Sequence, residues 1–165
     1  MNKHRMLELA DFLENIEPHR FNISRWAANI SKNPYREKFD YEQSSIIDIN
    51  VCNTAGCIAG WAVAYYNNGF AEFPKELNLT TAAYNVIRGA ELLDLTYEEA
   101  TRLFYYSEQE SVWWKYIEEI PGTEDIISDM SDNGDCIDSY DLDEYITNKV
   151  ACKFLRKIAN GEMTL

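Results

Sequence analysis

The chain has 165 residues and a formal net charge of −13, from 28 Asp and Glu against 15 Lys and Arg. With 46% hydrophobic and 13% aromatic residues it can build a packed core and is too apolar for a disordered chain. The acidic balance argues against phosphate-backbone binding and against docking on an anionic membrane as the main job, because both need spare Lys and Arg.

The charge is unevenly placed. Residues 1–90 carry nine basic and ten acidic side chains, residues 91–148 two and 17, and residues 149–165 four and one. No basic residue lies between Lys115 and Lys149. The length suits a single domain over residues 1–165. The charged, amphipathic start shows no export signal, and no stretch approaches the ~18 apolar residues of a membrane span. A cytoplasmic setting with reduced thiols at Cys52, Cys57, Cys136 and Cys152 is therefore expected.

In chain order, Met6, Leu9, Ala10, Leu13 and Ile16 recur at helical spacing and predict an amphipathic helix over residues 4–16, ended by Pro18. Phe21, Ile23 and Trp26 are expected to pack onto it. Residues 31–45 have no period and read as an inserted loop. Ile46, Ile47, Ile49 and Val51 read as one short strand or part of a hairpin. An all-round apolar helix is predicted over about 54–67, capped by Asn53 or Thr54 and ended at Asn67, Asn68 and Gly69. Residues 70–79 read as a connection.

Thr80 or Thr81 opens the next helix, through Leu93. Thr96 with Glu99 has capping-box spacing and opens another. Trp113, Trp114, Tyr116 and Ile117 sit on a short helix stopped by Pro121 and Gly122. Residues 121–141 read as an inserted acidic loop. A last helix is predicted from about Leu142 to Ala159, with Lys153, Arg156 and Lys157 suiting its dipole and Gly161 its cap. The expected fold is mostly α: a bundle of five or six helices around the buried central one.

The stretch Cys52-Asn53-Thr54-Ala55-Gly56-Cys57-Ile58-Ala59-Gly60-Trp61-Ala62 resembles a group of short uncharacterised bacterial and phage proteins with a Cys-Gly-Thr-x-x-Cys-x-x-Gly-Trp-Ala type motif. Phe21 to Trp26, Leu93 to Phe104, and Ile146 to Gly161 resemble that group's other blocks, in the same order. Asn53 stands where Gly is usual. The resemblance implies a phage or bacterial setting and supplies no activity.

The Cys52/Cys57 spacing lacks the second ligand pair of a zinc site, so no metal is expected. A thiol at a helix start can be activated, but the only histidines, His4 and His19, give no evident base. No catalytic residue or cofactor is assigned, although a thiol- or metal-dependent enzyme remains an alternative. The bland reading makes the motif a close-packed helix with Trp61 as anchor. A second alternative is a small-ligand site in which Asn53, Thr54, Gly56 and Cys57 hold an anion or nucleotide at the helix start, helped by Arg25, Arg88 or Arg102. Residues 129–135 imitate a calcium loop, but Tyr140 stands where its bidentate Glu belongs.

The leading expectation is a non-enzymatic accessory protein. Its acidic and aromatic surface, with Trp113, Trp114, Tyr116, Asp132, Asp135, Asp138 and Asp141, would bind a basic host protein, in the sharpest form as a DNA-mimic inhibitor of host defence. Direct nucleic-acid binding and membrane binding are not expected.

Overall fold

The computed structural model describes residues 1–32, 39–44, 46–72, 81–105, 112–117, 119–120, 123 and 145–165. Among these the α-helices are α1 (Lys3–Asn15), α2 (Ile58–Tyr66), α3 (Thr81–Leu93), α4 (Tyr97–Phe104), α5 (Trp113–Ile117) and α6 (Asn148–Ala159). The strands are β1 (Ala28–Lys32), β2 (Phe39–Gln43), β3 (Ile46–Asp48), β4 (Thr54–Ala55) and β5 (Phe70–Glu72), and a 3-10 turn spans Pro18–Arg20. The strands form two antiparallel sheets, one ordered β2-β1-β4 and the other β3-β5.

The fold is therefore an α+β mixture, which overturns the expected helical bundle. The reason lies largely in residues 28–55. Ala28, Asn29, Ile30 and Ser31 alternate apolar and polar, and Phe39 to Glu42 alternate in the same way. This period-2 pattern is only a few residues long on each strand, too short to stand out beside Pro34 and the intervening charges. The expected loop at 31–45 thus contains the end of β1 and all of β2, in register from Ala28↔Gln43 to Lys32↔Phe39. Likewise, Phe70–Glu72 is a strand and not a connection.

The central helix starts four residues later than predicted. Thr54 and Ala55 pair with Asn29 and Ala28 as β4, and Cys57, not Asn53 or Thr54, stands at the helix cap. From Ile58 to Ala64 every residue of α2 is buried. Its end matches expectation: Asn68 and Gly69 take positive φ, and the Gly69 amide reaches back to the Ala64 carbonyl at 2.9 Å.

Of the remaining helices α3 and α1 pack on α2, while α4 packs on α3 and α6 on α1. The α1 stripe of Met6, Leu9, Ala10 and Leu13 is fully buried against α6, whose Ala151, Phe154, Leu155 and Ile158 face inward. Asn148 locks the pair, its side-chain amide donating to the carbonyls of Leu13 and Ile16 at 2.9 and 3.1 Å. These are orphan acceptors at the end of α1. The last helix begins at Asn148 with Thr147 as its cap, shorter than the predicted start at Leu142, which lies outside the described residues. Gly161, at φ 75°, ends it, with Glu162 bonded back to Lys157. The capping box on α4 is present in both directions, Thr96 with Glu99.

Glycines permit close packing at two helix contacts. A Cβ on Gly60 would lie 1.9 Å from the Trp26 carbonyl oxygen and 2.8 Å from Ile47 Cδ1. A Cβ on Gly89 would lie 2.8 Å from the Phe104 ring. Gly60→Ala should therefore destabilise the chain by about 3 kcal/mol or more, the cost of overpacking against an immobile backbone. Gly161→Ala meets nothing within 4 Å and should cost only about 1 kcal/mol for its backbone conformation. Urea unfolding of the two variants checks the contrast.

Candidate functional site

The motif region is organised by a residue that precedes it. Arg20 is 8% exposed, and its guanidinium lies over the Trp61 ring, 5.0 Å from the centroid. Its nitrogens donate to the carbonyls of Thr54 (3.2 Å), Ile49 (3.0 Å), Asp48 (3.1 Å) and Val51 (3.1 Å), and to the Thr54 hydroxyl (3.3 Å). Among the described residues Arg20 makes no ion pair, so carbonyl dipoles meet its charge. A planar five-donor group suits a ring of acceptors in this way.

The backbone of Arg20 is used as well. Its carbonyl accepts the Trp61 indole N–H at 3.1 Å and the Gly56 amide at 3.1 Å. Trp61 is fully buried, and its one polar group is thereby satisfied. Thr54 turns its hydroxyl onto the carbonyls of Asp48 and Val51 at 2.8 and 3.0 Å.

This geometry leaves little room for the alternative reading, an anion site at the start of α2. Thr54 is buried, and its amide and hydroxyl are engaged. The amides of Gly56 and Cys57 donate to Arg20 and Arg25 carbonyls. Asn53 is exposed and its carbonyl pairs with Ile30. Of the proposed helpers, Arg88 pairs with Glu91 along α3 and Arg102 with Glu98 along α4.

The thiol reading fares no better. Cys57 is buried, Cys52 is exposed and the two are unbonded. Burial pushes the Cys57 thiol up to about 11, and the favourable amides of Gly60 and Ala59 do not offset it. Such a thiol is protonated at neutral pH and is not a nucleophile. His4 and His19 lie beside Glu8 and Glu17. Among the described residues no group of three His, Cys, Asp or Glu is placed to hold a metal ion. The calcium-like stretch 129–135 and Cys136 lie outside those residues.

The aromatic half of the expected surface is internal. Trp113 and Tyr116 are 1% and 5% exposed. Trp113 donates its indole N–H to the Leu103 carbonyl at 2.8 Å, and its ring lies 3.9 Å from that of Phe154. Tyr116 packs on the same Phe154 at 4.9 Å. They seat α6 and are not available to a partner. The Trp114 side chain and Asp132, Asp135, Asp138 and Asp141 lie outside the described residues. The most exposed aromatic that sequence reasoning missed among the described residues is Tyr97, 61% exposed at the start of α4 between the exposed carboxylates of Asp94 and Glu98. As the first helical residue after a recognised cap it was legible as a surface position.

The carboxylates of this acidic stretch that the structure describes are each engaged. Glu91 meets Arg88, Glu98 meets Arg102 and Asp94 lies 3.7 Å from the N-terminal amine. Glu99 closes the capping box and Glu119 meets Lys157. A cleft of about 410 Å³ beside α6 carries Lys153, Arg156 and Lys157 together with Glu119 and Glu162. Arg156 is held by Asp11 and Glu14 at 2.7 and 2.6 Å, which keeps the Glu14 carboxyl below its usual range. Two of the three cations are thus already matched, and the cleft offers an anion little.

No family model, curated protein or solved structure matches the chain. No helix among the described residues is long and apolar enough to cross a membrane.

Arg20→Met keeps an apolar stem but strands the carbonyls of residues 48–54. It should cost about 3 kcal/mol and speed hydrogen exchange at Gly56. Arg20→Lys should recover less than half of that loss, since one ammonium cannot reach the same acceptors. For Cys57 the sign follows from a folded-state value raised from 9.0 to about 11. Its contribution to stability is complete below pH 9 and is lost as pH rises to about 11. Denaturation curves over that window should fall less steeply for Cys57→Ala than for the wild type.

Proposed function

We propose that the chain is a non-enzymatic interaction protein whose acidic surface binds a basic protein partner. The carrying observation is the placement of charge. The described carboxylates of residues 91–148 have partners, and within residues 106–144 the sequence has thirteen acids against one base, Lys115. Tyr97 adds an exposed aromatic side chain between acidic neighbours, the residue type enriched where partners bind.

Such a surface attracts Lys- and Arg-rich proteins and repels nucleic acid. A nucleic-acid-handling protein, whose groove accepts carboxylates in place of phosphates, is the partner class that fits best. The resemblance of the Cys52 to Ala62 stretch supports a phage-encoded protein acting in a host cytoplasm, with inhibition of a defence nuclease as the sharpest form. The buried, protonated Cys57 and the occupied amides at the start of α2 leave the enzymatic and small-ligand readings without a specific observation in their favour.

The test is a pull-down from bacterial lysate at low and high salt, with duplex DNA as competitor. The retained partner should be basic, released by salt and displaced by DNA. Lysine at Asp132, Asp135, Asp138 and Asp141 together should weaken its binding by about tenfold or more. Binding indifferent to charge reversal and to salt would rule the reading out.

A further inference from the structure

A second surface lies on the two-stranded sheet. Ile47 and Ala71 pair across β3 and β5 and are buried. Side chains alternate along a strand, so their neighbours share the outer face. The register sets Ile46 opposite Glu72 and Asp48 opposite Phe70, a checkerboard of two apolar and two acidic side chains with Ile46 and Phe70 on the diagonal. Ile46 is 38% and Phe70 40% exposed, and Val51, on the turn bonded back to Asp48, is 41% exposed. Single exposed apolar residues are ordinary, but a contiguous group with a polar rim marks an interaction site.

Several of the outward backbone groups of this sheet are already held. The Ile49 amide bonds to Gly69 at 2.8 Å, so by antiparallel alternation Ile46, Asp48 and Phe70 turn their backbone groups away from the partner strand. The Ser44 hydroxyl accepts the Ile46 amide at 3.1 Å and donates to its carbonyl at 3.2 Å. Arg20 and Thr54 hold the Asp48 carbonyl. Asn67 takes the Phe70 amide at 3.3 Å and donates to its carbonyl at 2.8 Å. An added strand finds these groups engaged, which favours a partner that meets the face.

We propose that the outer face of β3 and β5 docks a basic protein partner, with one apolar side chain of the partner set among Ile46, Val51 and Phe70 and a Lys or Arg set against Asp48 and Glu72. The polar members of the checkerboard are both acidic, which selects a cationic rim on the partner. A second copy of this chain would bring four carboxylates into one isologous interface, and like charges there are destabilising. The inference goes beyond the acidic-stretch reading and can fail while that reading stands.

Two short peptides of equal charge test it on the full chain, one alternating Lys with Leu and one alternating Lys with Ser. The Lys–Leu peptide should bind about tenfold more tightly and shift backbone amide resonances at residues 46–51 and 70–72. The double variant Val51→Ser, Phe70→Ser should fold normally and lose that preference, while Phe70→Leu keeps it. Equal binding of the two peptides, or an unchanged preference in the double variant, would overturn the proposal. Shifts confined to residues 94–98 would also overturn it and leave the acidic-stretch reading intact. A wild-type dimer made monomeric by the double variant would assign the face to a second copy and overturn it as well.

Discussion

One buried guanidinium holds the N-terminal half of the molecule in shape. Arg20 gathers four carbonyls from residues 48–54 and covers Trp61. Without that cation the turn would leave several acceptors buried and facing one another, a costly arrangement. With it the turn closes, β4 reaches β1 and Thr54 becomes part of the core. The carbonyl of the same residue receives Trp61 and Gly56, so one residue fixes both the sheet and the helix that follows it. The close approach at Gly60 follows from this: α2 is drawn onto the Trp26 backbone until no Cβ fits between them.

Much of the helical part of this arrangement is legible in the sequence, because its signals are local. Met6 to Leu13 repeat at helical spacing, Thr96 and Glu99 stand three apart, and Asn68 and Gly69 follow an apolar run. Each signal is complete within a few residues. Arg20 gives no such signal. It follows Pro18 and His19 in a polar turn and reads as a solvated cation, while its acceptors lie 28 to 34 residues away. Backbone carbonyls carry no side-chain identity, so no residue type betrays them. The β1–β2 hairpin was hidden for a related reason: strands of five residues each show too few alternations to define a period.

The candidate site was misread where adjacency in sequence stood in for a surface. Trp113 and Tyr116 lie three apart on a single helical face, and that face meets Phe154. Their spacing was a core signal. The motif at residues 52–62 reads in the sequence chiefly as a close-packed helix with Trp61 as anchor, and Trp61 is fully buried. Its small residues and capping groups also suit a ligand-holding helix start, and the same groups serve equally when the ligand is another stretch of the chain. Arg20 and Arg25 carbonyls occupy the amides that an anion would need.

The molecule thus spends its most specific polar chemistry internally. Arg20 closes a turn, Asn148 ends α1, and the buried Thr123 hydroxyl lies 2.7 Å from the carbonyls of both Ile117 and Ile120. Groups satisfied in this way specify one packing and have nothing left to offer a substrate. Among the described residues, what the surface keeps is less directional: an exposed Tyr97 between carboxylates, and an apolar checkerboard that includes Asp48 and Glu72. The proposed association with another protein would draw on features of this kind. Catalysis needs an activated group aimed at a reacting atom, whereas docking needs area, sign and a few apolar anchors. The outward backbone groups of the β3–β5 sheet belong to the same logic. By holding those of Ile46 and Phe70 and the Asp48 carbonyl, the chain reduces the indiscriminate pairing an open strand invites, and side chains are what its outer face presents.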